Sequence, residues 1–184
     1  MMGDMMQKES IQGDKIILRP LREEDAAFFV HWHNRPDVMF QCAFEEPTTM
    51  EAELERIRRV ETDRDWYTVT DLSGRMVGET GLLRMWPHWR TTDMSIIIPN
   101  PADQSRGYGG EAVRLMLMRA FCHYHMNRVA IGVVGLNKRA LAFYERIGFK
   151  QEGIQEQGYL VDGVFSDFVM MRMLKSEYQK GENK

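Results

Sequence analysis

Apolar and polar positions come in short blocks along this chain, and the period of each block names an element. Residues 15–19 are a short apolar run closed by Pro20, the pattern of a strand. Residues 23–34 change to a helical period, acidic at the start, with Phe28, Phe29 and Trp32 as core candidates and Pro36 as the stop. Thr48-Thr49-Met50-Glu51 has the form of a capping box. The Thr48 hydroxyl can take one free N–H, and Glu51 can reach back to another. The helix that follows places Met50, Leu54 and Ile57 on one face.

Three strands come next, at 66–70, 76–85 and 91–98, with a turn at Leu72-Ser73-Gly74 and a break at Pro99-Asn100-Pro101. A helix over 109–124 carries Ala112, Leu115, Met116 and Ala120 at core spacing. Residues 128–134 are almost all apolar, which predicts a strand buried on both faces. Residues 137–147 form a helix stopped by Gly148. Asp162-Gly163 between two apolar runs predicts a hairpin. This order predicts an α/β chain with a mixed sheet and helices on both faces. It is not a doubly wound series, because the middle strands form a meander. One domain is expected over 15–174, with tails at 1–14 and 175–184.

Composition narrows the classes. A hydrophobic fraction of 43% and a charged fraction of 28% are those of a soluble globular protein. The net charge of −3 lacks the basic excess of a nucleic-acid binder. No stretch of ~18 apolar residues exists, so no membrane span is expected. Cys42 and Cys122 lie far apart, form no CxxC pair and follow no signal-peptide pattern. They read as free thiols of a cytoplasmic protein, with Cys122 buried in its helix. His31 and His33 are two residues apart, as are His123 and His125. Neither pair has the i, i+4 spacing that grips a metal, so no metal is expected and these histidines read as surface or helix-end residues.

Two constellations can carry chemistry. Gln104-Ser105-Arg106-Gly107-Tyr108-Gly109-Gly110 follows a strand and opens a helix. Such a place offers unpaired N–H groups and the positive end of a helix dipole to a pyrophosphate. A P-loop is excluded, because no Lys-Ser or Lys-Thr follows. Gly107-x-Gly109-x-x-Ala112 formally matches the dinucleotide fingerprint, but that fold wants an acidic residue about 20 positions on. No Asp or Glu stands between Glu111 and Glu145. On this segment alone, a glycine turn that merely caps a helix stays open. The second constellation is Asn137, Ala140, Tyr144 and Gly148-Phe149. Asn137 suits a strand-to-helix boundary, and Ala140 and Tyr144 share a helix face. Alone, Tyr144 could equally be a core tyrosine.

Taken together, these segments resemble the GNAT superfamily of acetyltransferases. Gln104-Ser-Arg-Gly107-Tyr-Gly109 is similar to its acetyl-CoA motif, and Asn137, Ala140, Tyr144 and Gly148-Phe149 to its downstream motif. Leu18-Arg19-Pro20-Leu21 with Glu23-Glu24-Asp25 looks like its first strand and helix. The resemblance runs from about Lys15 to Leu174 and is strongest to the branch of ribosomal-protein N-terminal and polyamine acetyltransferases.

The resemblance implies a GNAT fold with a splayed parallel strand pair, 91–98 and 128–134, and acetyl-CoA wedged between them. Backbone groups of Ile96, Ile97 and Ile98 would bind the pantetheine arm, and 104–110 the pyrophosphate. Asn137 would bond the pantetheine or thioester end. Tyr144 would be the general acid and Asp93 the base, working through water. Glu45, Glu46 and Trp86 are candidates for acceptor contacts. The implied activity is acetyl transfer to a primary amine, whether a protein N-terminus, a polyamine or another small amine, by direct attack. The alternative is a non-catalytic acyl-CoA-binding or sensing module. Many members of the family pair, so a homodimer is among the assemblies it allows.

Overall fold

The computed structural model describes residues 8–59, 61–161 and 163–182. One eight-stranded sheet runs through the molecule in the order β1-β2-β3-β4-β5-β6-β8-β7. The strands are β1 (Ile11–Gln12), β2 (Ile16–Pro20), β3 (Asp65–Asp71), β4 (Met76–Trp86), β5 (Thr91–Ile97), β6 (Arg128–Val134), β7 (Lys150–Val161) and β8 (Val164–Leu174). Every neighbouring pair is antiparallel except β5 and β6. The expected mixed sheet with one parallel pair is therefore present.

That parallel pair is short. Only Thr91, Thr92 and Asp93 pair with Arg128, Val129 and Ala130. Beyond Asp93 the strands separate, and the β6-side edge of residues 94–97 loses its strand partner. β6 remains in register with β8 along its whole length, from Arg128↔Leu174 to Val134↔Phe168. The opening is thus confined to one seam.

The helices divide between the two faces. α4 (Tyr108–Met118) packs with Tyr67, Val69 and Leu82, and contributes Ala112, Val113, Met116 and Leu117 to a large apolar core. α5 (Lys138–Ile147) joins that core through Tyr144. The alternate residues of β3 point the other way. Trp66 bonds Glu79, and Thr68 bonds Asp25, beneath α1 (Ala26–His33), α2 (Pro36–Cys42) and α3 (Met50–Arg58).

Local departures from the sequence pattern have physical causes. A 3-10 turn over Glu23–Asp25 precedes α1. Pro36 starts α2 instead of only ending α1, because the first helical position needs no N–H. Thr49, not Thr48, caps α3, accepting from the Ala52 N–H at 3.2 Å. Thr48 instead uses its own N–H to bond the Asn34 side chain at 2.7 Å. The inward face of α3 is set by Glu53, which is buried, while Met50 is exposed. The helix expected to reach residue 124 ends in a π-helical turn over Arg119–His123, and Cys122 is exposed there, not buried.

The expected tails are partly ordered. β1 pairs with β2, and the Lys8 ammonium binds Asp65 at 2.7 Å. α6 (Lys175–Glu182) occupies the stretch read as a C-terminal tail. It docks through Glu177, which accepts from Lys150 at 2.7 Å, and through Tyr178 against Phe121. Asp162 of the hairpin turn lies outside the described residues; Gly163 takes φ 76. Among the described residues no helix is long and apolar enough to cross a bilayer.

Candidate active site

The β5/β6 seam opens into a cleft of about 1070 Å³. Its walls come from both faces of the sheet. Val38 and Cys42 of α2 line one side, and Gly109 of α4 with Ala140 and Tyr144 of α5 line the other. The splay is therefore a passage through the sheet.

At one end lies the loop before α4. Ser105 (φ 64) and Gly107 (φ 91) both take left-handed backbone, which at Gly107 costs nothing because it has no Cβ. Gly107 is the N-cap and offers no side-chain acceptor. No backbone acceptor serves the N–H groups of Tyr108, Gly109 and Gly110 among the described residues. These are the free donors that a phosphate group can use. Arg114, beside Gly110, and Arg139, bonded to Gln104, line the same end and add positive charge.

Gln104 organises this loop. Its Nε2 donates to the Ile98 carbonyl at 2.8 Å, and its Oε1 accepts from Arg139. The Ile98 carbonyl is therefore already engaged. Ile96, Ile97 and Ile98 line the cleft where β5 has lost β6, so backbone groups on that edge face the opening. An extended amide-containing chain can bond such an edge as a strand would. Asn137 caps α5, its Oδ1 accepting from the Ala140 N–H at 3.1 Å, and its side chain lines the cleft.

Tyr144 is 5% exposed, and its ring packs edge-on against Phe143 and Phe149. Burial pushes its phenol above the ordinary value, with the nearby Cys42 adding to the effect, so it stays protonated at neutral pH. Its hydroxyl makes no hydrogen bond to the described residues. Burial likewise pushes the Cys42 thiol up, to about 12. Asp93 stands where the pairing ends and accepts from Arg84 Nε at 2.5 Å.

Four expected site residues lie off the cleft wall on this geometry, and a fifth turns into the core. Glu45 and Glu46 are exposed on the loop after α2. Trp86 is exposed and stacks on Trp89 at 5.3 Å. Arg106 faces Asp103 and lies over the Tyr108 ring, while Tyr108 itself is buried in the core. The remaining expected residues, from Asp93 to Tyr144, meet in one cleft.

His33 is 7% exposed, not at the surface. Its Nδ1 faces Glu53 at 3.1 Å and its Nε2 faces Glu79 at 2.9 Å. Two carboxylates on two ring nitrogens require both to be donors, hence an imidazolium. Burial opposes that charge, but the two carboxylates prevail and hold the group at about 9. Arg56 bonds both carboxylates, and Trp66 donates to Glu79 at 2.7 Å. Two anions and two cations thus lie together under α1 and α3. No helical period could have found this group, because its members lie on three elements. Among the described residues no group of three or more His, Cys, Asp or Glu is placed to hold a metal ion.

A cleft between splayed parallel strands that opens on an uncapped helix N-terminus fits an acyl-CoA-dependent transferase. The Acetyltransferase (GNAT) domain family matches residues 15–150. The chain belongs to this family. Spermidine N(1)-acetyltransferase of Vibrio cholerae is 25% identical over 167 residues, 89% of this chain and 95% of its own length. A putative ribosomal N-acetyltransferase of Bacillus subtilis is 36% identical over 76 residues, 41% of this chain and 42% of its own. In structure, a Vibrio cholerae spermidine N-acetyltransferase in complex with CoA and spermine superposes with a TM-score of 0.83 at 24% identity, covering 91% of this chain and 99% of that one. The chain is an acetyl-CoA-dependent acetyltransferase.

Proposed function

We propose that this protein transfers the acetyl group of acetyl-CoA to a primary amine by direct attack, with Tyr144 as general acid and Asp93 as the proton acceptor. The observation that carries this reading is the passage through the sheet. It joins free amides at Tyr108–Gly110 to a buried phenol and a carboxylate in one continuous cleft.

The residues present fit the cosubstrate. The amides of 108–110 with Arg114 and Arg139 would hold the pyrophosphate, and the open edge of Ile96–Ile98 with Asn137 would hold the pantetheine arm. When bound, acetyl-CoA supplies an activated thioester. An amine with a pKa of ~10.4 arrives mostly protonated and must lose a proton before it attacks. Asp93 would attract the ammonium and pass that proton to water. Tyr144, kept protonated by its burial, donates to the departing sulfur.

The spermidine and ribosomal activities of the relatives supply the first acceptors to try, a polyamine and a protein N-terminus. Exposed Leu160, Val164 and Phe165 on the β7–β8 hairpin support a homodimer, and the free thiols fit a cytoplasmic setting. The test is thiol release from acetyl-CoA against spermidine, spermine, free amino acids, aminoglycosides and short peptides. Turnover of one class with a mass gain of one acetyl group on its amine supports the proposal. Tight acetyl-CoA binding with no turnover of any amine would favour a sensing module instead.

A further inference from the structure

We infer that Arg84 is a specificity-determining residue, and that the acceptor carries a carboxylate close to its reacting amine, as a free amino acid does. This rests on the transferase reading above and names its substrate class.

The β4 strand is built irregularly at this point. Leu83 pairs with Asp93 and Trp86 with Thr91, so Arg84 and Met85 together oppose the single residue Thr92. Such a bulge re-aims a side chain. In a regular strand, Arg84 would point to the face opposite Leu83 and Asp93. With the extra residue, Met85 is buried in the core and Arg84 stands on the face of Asp93, in the cleft wall. Arg84 takes φ 48, a conformation that few non-glycine residues adopt and that clusters at functional sites.

The pair this creates is poorly suited to a stability role. The Arg84 side chain is 65% exposed and that of Asp93 30%, and exposed ion pairs contribute little to stability. Among the described residues only Nε of Arg84 is engaged, so both terminal nitrogens of the guanidinium remain available at the cleft. That fork matches a carboxylate.

The charge of this half of the cleft points the same way. Among the lining residues from α2, the loop after it and the strands, Arg84 and Asp93 are the only charged side chains. Glu45 and Glu46 are exposed and stand outside the wall. A polyamine brings several ammonium groups and meets one carboxylate, already matched by a guanidinium. An amino acid brings one ammonium and one carboxylate a few bonds apart. Its ammonium can face Asp93 while its carboxylate takes the Arg84 fork, so both charges are answered.

The experiment measures kcat/KM for thiol release with matched acceptors: lysine against cadaverine, phenylalanine against phenethylamine, and spermidine. The wild type is expected to favour each amino acid over its carboxylate-free partner by about 10-fold or more, the worth of one charge-assisted contact. Arg84→Gln should collapse the ratio, and Arg84→Glu should invert it toward cadaverine and spermidine. Circular dichroism confirms that both variants fold. A wild type that prefers spermidine or cadaverine, or an unchanged ratio in folded Arg84→Glu, overturns the inference and leaves the transferase reading standing. No thiol release with any amine overturns both.

Discussion

The two faces of the central sheet are held in different ways. Under α4 the sheet meets Ala112, Val113, Met116 and Leu117 in an apolar contact. Under α1 and α3 it meets His33, Glu53 and Arg56 around Glu79, a neutral set of three buried charges and the half-buried Arg56. Apolar burial depends on area and is indifferent to protons. A buried charge set depends on every member, since losing one strands the rest. The cleft runs between these faces. One wall therefore rests on a forgiving foundation and the other on a pH-dependent one.

The largest effect is expected from Glu79→Ala. It leaves Arg56, His33 and the Trp66 N–H short of their shared acceptor, and should cost about 3–5 kcal/mol of unfolding free energy in urea titration. On the other face, Met116→Ala removes a fully buried side chain and should cost about 2–5 kcal/mol, with the same loss at pH 6 and pH 9.

The next prediction concerns protons. His33 is held at about 9, above its ordinary 6.5, so it binds its proton more tightly in the folded state. Its contribution is full below pH 6.5, erodes as pH rises from there, and is lost above about 9. Glu53 is held at about 2, below its ordinary 4.5, mainly because His33 and Arg56 outweigh its burial. Its contribution is full above 4.5 and is lost as pH falls through about 2. The melting temperature should therefore decline between pH 6.5 and 9, and His33→Gln should flatten that decline. An equally steep decline in the variant would show that other groups carry it. The smallest effect is expected from Thr49→Ala, which removes the α3 cap and should cost about 1 kcal/mol in the same urea titration.

The two faces also differ in how well the sequence announces them. The α4 face is legible because its apolar residues recur with helical period, and the glycine loop before it has a fixed spacing that chemistry explains. Asn137, Ala140 and Tyr144 are legible for the same reason, being neighbours on one helix. The α1–α3 face is not. His33 pairs with Glu53 and Glu79, 20 and 46 positions away, and a lone histidine near a helix end carries no sign of that. Glu53 breaks the expected apolar face of α3 because its partner lies beneath it. Pro36 marks a break in the helical pattern but not that a second helix begins there. Arg84 was invisible because the bulge that turns it toward Asp93 is a property of the pairing with β5, not of β4 alone. Local pattern reads out what is local, and contacts made by three distant elements appear only when they are folded together.

In the proposed mechanism a buried, protonated Tyr144 in the cleft wall donates the proton that acetyl transfer requires. The most direct test is the steady-state rate of Tyr144→Phe with the best acceptor of the panel, alongside calorimetric binding of acetyl-CoA. The expected result is that kcat falls about 100-fold or more, as loss of a general acid should produce, while acetyl-CoA affinity changes little. A Phe variant that binds acetyl-CoA and turns over at the wild-type rate would contradict it.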